Sequence, residues 1–169
     1  KEYYKQTSES ETTKISFYED TYSLYNLYRF SHYYEEAYGK YIWLKSGASL
    51  VIEHTEAMTV IDVNTGSVLK KKKQEDTLFY QINREAAKEI ARQLRLRNIS
   101  GIIMIDFINM KDTAQKEKLL SLLDSECKKD RVHCNVIDMT ALNLVEMTRS
   151  KVRKPLHEQI RSCMKNNRS

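Results

Sequence analysis

The sequence predicts an α/β fold: a mixed sheet in which a β meander is followed by strand–helix–strand units, with helices packed on the sheet. Three observations carry this. Between residues 41 and 64 three short apolar runs, "YIWLK", "LVIEH" and "AMTVIDV", are separated by the turn residues Ser46-Gly47-Ala48-Ser49 and Thr55-Glu56, the pattern of consecutive antiparallel strands. Ala87, Ile90, Ala91 and Leu94 fall at helical spacing and form one apolar stripe. The run "GIIMIDFI" from Gly101 is nearly continuous in its apolar residues, as a strand covered on both faces would be.

The elements follow in order. Residues 1 to about 14 are polar, and loose packing is expected there. The next stretch, to residue 41, holds most of the chain's eleven tyrosines. Such rings can stack on bases, but packing of Tyr22, Tyr25, Tyr33 and Tyr34 against the core or a neighbouring subdomain is the simpler reading. Lys70 to Lys73 are four successive lysines in the loop after Gly66, read as a solvated loop. Asn83 is a suitable N-cap for a helix over 84–97, with Glu85 in its first turn; Arg84, Lys88, Arg92 and Arg95 fall on its other faces. Asp112 should cap a helix over 113–129 that turns Leu119, Leu122, Leu123 and Cys127 inward. "VHCNVID" then returns as a strand, and the strand–helix–strand order implies a parallel pair with a right-handed crossover. "NLVEMTR" is the last strand, and Pro155 opens a short final helix. The expected organisation is a tyrosine-rich flank over 1–38, an α/β subdomain over 39–154 and a tail over 155–169.

Composition narrows the class. The 169 residues are 41% hydrophobic and 30% charged, enough for one core, and the net charge of +5 favours a polyanionic partner only mildly. No apolar run approaches the roughly 20 residues of a membrane span. The opening residues lack the apolar core of a signal peptide, and the chain reads as a piece of something longer. Cys127, Cys134 and Cys163 are odd in number and lack zinc-ligand spacing. No zinc site is expected in this chain, and a reducing cytoplasm is the expected home.

The chemistry lies in two aspartates. Asp106 stands inside an apolar run, and Asp62 ends another, "MTVIDVNTG". In open α/β sheets ligands bind beyond the carboxyl ends of strands. Two carboxylates brought together there repel, and a hard divalent cation relieves the repulsion; Mg²⁺ takes one or two carboxylates with waters and a substrate phosphate. Asp62 could instead begin an Asx turn, whereas Asp106 has apolar residues on both sides. Asn64, two positions on from Asp62 in a strand, shares its face and is suited to hold a phosphate oxygen.

Four segments, "SLVIEHTEAMTVIDVNTG", "INREAAKEIARQLRLRNISGIIMIDFINM", "KKDR" and "LVEMTR", resemble the ribonuclease E/G family in order and spacing. The resemblance covers about residues 40–155, and weakly 27–40. It implies the deoxyribonuclease I-like catalytic subdomain of a single-strand-specific endoribonuclease active in RNA processing and decay. The family's metal-binding aspartates fall on Asp62 and Asp106 and its catalytic asparagine on Asn64. Hydrolysis assisted by Mg²⁺ (Mn²⁺ can substitute) would leave a 5′-phosphate and a 3′-hydroxyl. The tyrosine-rich flank becomes the edge of a neighbouring ribonuclease H-like subdomain.

The sequence departs from the family pattern at Asn109, where a carboxylate is usual, at His133, where Arg is often found, and at Ala48, where the turn usually reads "SGG". The family's oligonucleotide-binding domain, 5′-end sensor and paired zinc cysteines do not match residues of this chain. Lys111, Arg131 and Arg149 are the expected RNA-binding residues, chosen by position. The expected partner is single-stranded RNA, with oligomers possible in a longer parent. A non-catalytic RNA-binding or scaffold module that keeps the fold is the alternative from another class.

Overall fold

A computed structural model describes residues 17–66, 75–159 and 162. The expectations for residues 1–14, for the lysine run and for Cys163 fall outside these. The chain divides into two units, Lys1–Tyr33 and Tyr34–Ser169, each described by itself. The first holds the short helix α1, Leu24–Leu27, capped by Ser23, and the start of α2, Phe30–Tyr38. Its Tyr22, Tyr25 and Tyr33 are exposed.

The second unit is a mixed six-stranded sheet with helices packed on it, the α/β class that the sequence implies. Its strands are β1 (Tyr41–Trp43), β2 (Ser49–His54), β3 (Met58–Asn64), β4 (Gly101–Asp106), β5 (Cys134–Met139) and β6 (Leu144–Arg149). The helices are α3 (Glu75–Leu96) and α4 (Thr113–Cys127). Strand order is β1-β2-β3-β4-β6-β5. β1 to β3 form the antiparallel meander, and β3 pairs with β4 in parallel through α3.

The expected parallel partnership of β4 with the strand after α4 does not form. β6 inserts between them, antiparallel to both. The reason is local: β5 and β6 are joined by a tight turn, with Asn143 at φ 64° and Thr140 N donating to Leu144 O at 2.8 Å. A hairpin closes more readily than a distant pairing, and it leaves β6 to meet β4.

Burial alternates along the central strands. Ile61 and Val63 of β3, Ile103 and Ile105 of β4, and Val145 and Met147 of β6 are buried in one cluster with Ile82, Ile90 and Leu94 of α3 and Leu119 and Leu123 of α4. Each such side chain contributes about 1.5–3 kcal/mol. All four residues of the stripe read from sequence, Ala87, Ile90, Ala91 and Leu94, are in this core. The opposite face carries Asp62, Met104 and Asp106, partly or largely exposed, with Ile102 49% exposed. Thus β4 is covered on one face only among the described residues, against expectation. Its even-numbered apolar residues belong to an open face.

α3 begins well before residue 84. Asn83 therefore caps nothing; it lies inside the helix and is fully buried. Asp112 does cap α4, accepting from Ala114 N at 2.9 Å. Pro155 O accepts from Glu158 N and Gln159 N, both at 3.1 Å, starting the expected helical turn.

Candidate active site

Register builds the site. Tyr41, Val51, Asp62, Asp106 and Leu144 form one row across five strands, and Trp43, Ser49 and Asn64 form the next. Asp62 and Asp106 are thus direct partners on adjacent parallel strands, about 4.8 Å apart along the row. Both stand on the face turned away from the core, at the carboxyl ends of β3 and β4. Asp106 is exposed rather than buried, because its strand ends at the rim of the open face. Partial burial and then the neighbouring charge of Asp62 hold its carboxyl above the ordinary range. Asn64 Nδ2 donates to Asp62 Oδ2 at 2.6 Å, which fixes the Asp62 carboxylate and leaves the second Nδ2 hydrogen to donate to another partner.

Two features that the sequence did not reveal shape the loops around this row. Asn83 Nδ2 donates to Ile108 O at 2.8 Å, and Ile108 N donates to Asn83 Oδ1 at 3.0 Å. One buried side-chain amide thereby pins the chain two residues after Asp106. Asn83 lies one helical turn before Ala87 on the same stripe, and a polar residue on a buried stripe is the signal that could have found it. The second feature is the turn after Asn64. Gly66 has φ 57°, and a Cβ there would lie 2.7 Å from Gly47 O, so only glycine lets this turn meet the β1–β2 loop. The loop is held in turn by Glu85, whose carboxylate accepts from Lys45 N at 2.7 Å and Ser46 N at 3.3 Å. Glu85 serves the loop rather than a helix start.

The three expected RNA-binding cations are divided. Lys111 is exposed in the loop after β4, at the aspartate end. Arg149 pairs in register with Gly101, at the opposite end of β4, about 17 Å from the Asp106 row. Its side chain is buried: Nε donates to Asp130 Oδ2 at 2.9 Å, and Nη1 donates to Asn98 Oδ1 at 3.0 Å and Ile99 O at 2.9 Å. Its hydrogen bonds are spent on structure, which corrects the expectation that it contacts RNA beside the aspartates. Arg131 is exposed, at that same far end. Among the described residues no group of three or more His, Cys, Asp or Glu could hold a metal ion.

The family model described as the ribonuclease E/G family matches residues 1–152. The chain belongs to the ribonuclease E/G family. It is 41% identical over 145 residues to ribonuclease G of Escherichia coli (strain K12), an alignment covering 86% of this chain and 29% of the relative. It is 42% identical over 143 residues to ribonuclease G of Haemophilus influenzae, covering 85% and 29%. Against ribonuclease E of Nostoc sp. it is 37% identical over 144 residues, covering 85% and 21%. The chain therefore spans less than a third of these relatives. No helix among the described residues is long and apolar enough to cross a membrane.

Proposed function

We propose that this chain supplies the catalytic centre of a divalent-metal-dependent endoribonuclease that cuts single-stranded RNA in cytoplasmic RNA processing and decay. The observation that carries the reading is the pairing of Asp62 with Asp106 in one row, on one face, at the ends of parallel strands. The ribonuclease names of its relatives supply the substrate class.

The donor set fits a hard cation. Two carboxylate oxygens stand close enough for one charge to perturb the other, and Mg²⁺ is content with one or two carboxylates plus waters and a phosphate. When bound, such an ion supplies charge neutralisation at the phosphoryl oxygens and makes water more acidic. The chain's own residues do the rest. Asp62 and Asp106 would hold the ion, and Asn64 keeps Asp62 in one orientation while its second Nδ2 hydrogen would donate to a phosphate oxygen. Lys111 lies at the same end, where its charge opposes that of the RNA backbone. Asn83 keeps the segment after Asp106 from drifting. The reaction adds water across one phosphodiester, leaving a 5′-phosphate on one product and a 3′-hydroxyl on the other.

The test is cleavage of end-labelled single-stranded RNA by the protein during a Mg²⁺ titration, beside Asp106→Asn. Cleavage that needs the ion and fails in the variant supports the reading. Binding without cleavage at any ion concentration supports a non-catalytic RNA-binding module instead.

A further inference from the structure

The face that carries Asp62, Asn64 and Asp106 also carries two exposed aromatic residues on its edge strand. Ile42 and Leu44 lie in the core, so strand alternation puts Tyr41 and Trp43 on the opposite face. They are 59% and 73% exposed, although tryptophan is mostly buried in folded proteins. Tyr41 shares the row of Asp62 and Asp106, and Trp43 shares the row of Asn64. Each aromatic stands two strands, or about 10 Å, from its partner in the site. β1 runs in the same direction as β3 and β4, so Trp43 closes its strand at the end where the aspartates close theirs. Lys45 and Lys88 line a groove of about 430 Å³ along the outer edge of β1 beside Trp43, together with Glu85, Glu89, Arg92 and Arg95. Glu85 accepts from the Lys45 and Ser46 amides and Glu89 pairs with Arg92, so the cations outnumber the carboxylates that a strand leaving that ring would pass.

We propose that Trp43, with Tyr41 beside it, is a nucleobase-stacking subsite for the RNA strand held at Asp62 and Asp106. It receives the base of a nucleotide close to the scissile phosphate. The inference rests on the reading of the aspartates as the cleavage centre. Every base has a π-face, so an indole platform tolerates any sequence. Bases in a duplex are already stacked on one another, whereas those of a single strand can be splayed onto a side chain. Trp43 is thus a source of preference for single strands that involves no base-edge hydrogen bond.

Trp43 is the chain's single tryptophan, so its emission reports on this ring alone. The experiment titrates the Asp106→Asn chain, which binds without cutting, with a short single-stranded RNA of mixed sequence. Binding is followed in parallel by anisotropy of the labelled RNA. Saturable quenching is expected with the single strand and none with its pre-annealed duplex. Trp43→Phe should bind within about twofold of the parent, and Trp43→Ala about tenfold more weakly. Binding without quenching, unchanged affinity of Trp43→Ala, or no binding at all would overturn the proposal. So would emission that shifts with protein concentration alone while the mass in solution doubles, which would place a second copy on this face. Failure of the catalytic reading shows separately, as cleavage by Asp106→Asn equal to that of the unaltered protein. Absent quenching beside cleavage that still depends on Asp106 removes only the stacking subsite.

Discussion

At Asp106, partial burial and the charge of Asp62 both disfavour the ionised form, and both lift its carboxyl above the ordinary range. A group whose folded value is raised costs stability once ionised, and that cost is relieved as pH falls through the raised value. In metal-free protein at pH 7, Asp106→Asn is therefore expected to melt no lower than the parent, while cleavage falls by more than about a hundredfold, beyond the loss of an outer partner. A thermal melt in chelator beside a cleavage assay measures both. Asn64→Ala should slow turnover with a smaller effect on ion affinity, since Asn64 donates to Asp62 and its proposed contact is to phosphate. Asp130 has the opposite sign. Burial pushes its carboxyl up, yet hydrogen bonds from Arg149 and the Val132 amide outweigh this and hold it below the ordinary range. That stabilisation is present above the ordinary carboxylate value and is lost as pH falls through the depressed one. Asp130→Ala strands the buried guanidinium of Arg149 and should cost about 3–5 kcal/mol in urea unfolding at pH 7. A loss below about 1 kcal/mol, the worth of a surface pair, would show that Arg149 is not the structural anchor described.

Among the elements, the loops that frame the aspartates depend on two small contacts. Asn83→Ala leaves the Ile108 amide and carbonyl without their side-chain partner inside the fold, at about 1–3 kcal/mol. Because Ile108 follows Asp106 by two residues, ion affinity should weaken as well, which a remote packing defect of equal cost would not produce. Calorimetric titration with Mn²⁺ reads that difference. Gly66→Ala forces a Cβ against Gly47 O and should destabilise the turn after Asn64. These elements were legible in the sequence to unequal degrees. The stripe of Ala87, Ile90, Ala91 and Leu94 was plain because helical periodicity is local. The start of α3 was not, since "EDTLFYQIN" mixes weaker helix formers with a plausible cap, and the burial of Asn83 depends on a partner 25 residues away. The place of β6 was hidden for the same reason: strand order depends on non-local pairing, and each strand's composition is silent about its neighbour.

For the whole molecule, the open face sets what the unit can grip. The aspartates were legible as strand-end carboxylates, but their exposure was not, because a run such as "GIIMID" reads alike whether one face or two is covered. Arg131 lines a pocket with Arg149, whose strand position is the end of the sheet away from Asp106, so a short RNA seated at the aspartates should not reach it. Each phosphate contact contributes a slope of about −0.7 in log affinity against log salt for a single strand. Lys111→Ala should therefore flatten the slope by about 0.7 for short and long RNAs alike, and Arg131→Ala only for a long one. Equal effects of Arg131→Ala on both lengths would contradict this path.

The proposed chemistry requires Asp62 and Asp106 to share one cation. Its most direct measurement is the stoichiometry and affinity of Mn²⁺ by electron paramagnetic resonance in the parent, Asp62→Asn and Asp106→Asn, with cleavage measured on the same samples. The expected result is one site per chain, weakened by either substitution in step with the loss of cleavage. Undiminished Mn²⁺ binding in both variants, or cleavage that survives them, would contradict it.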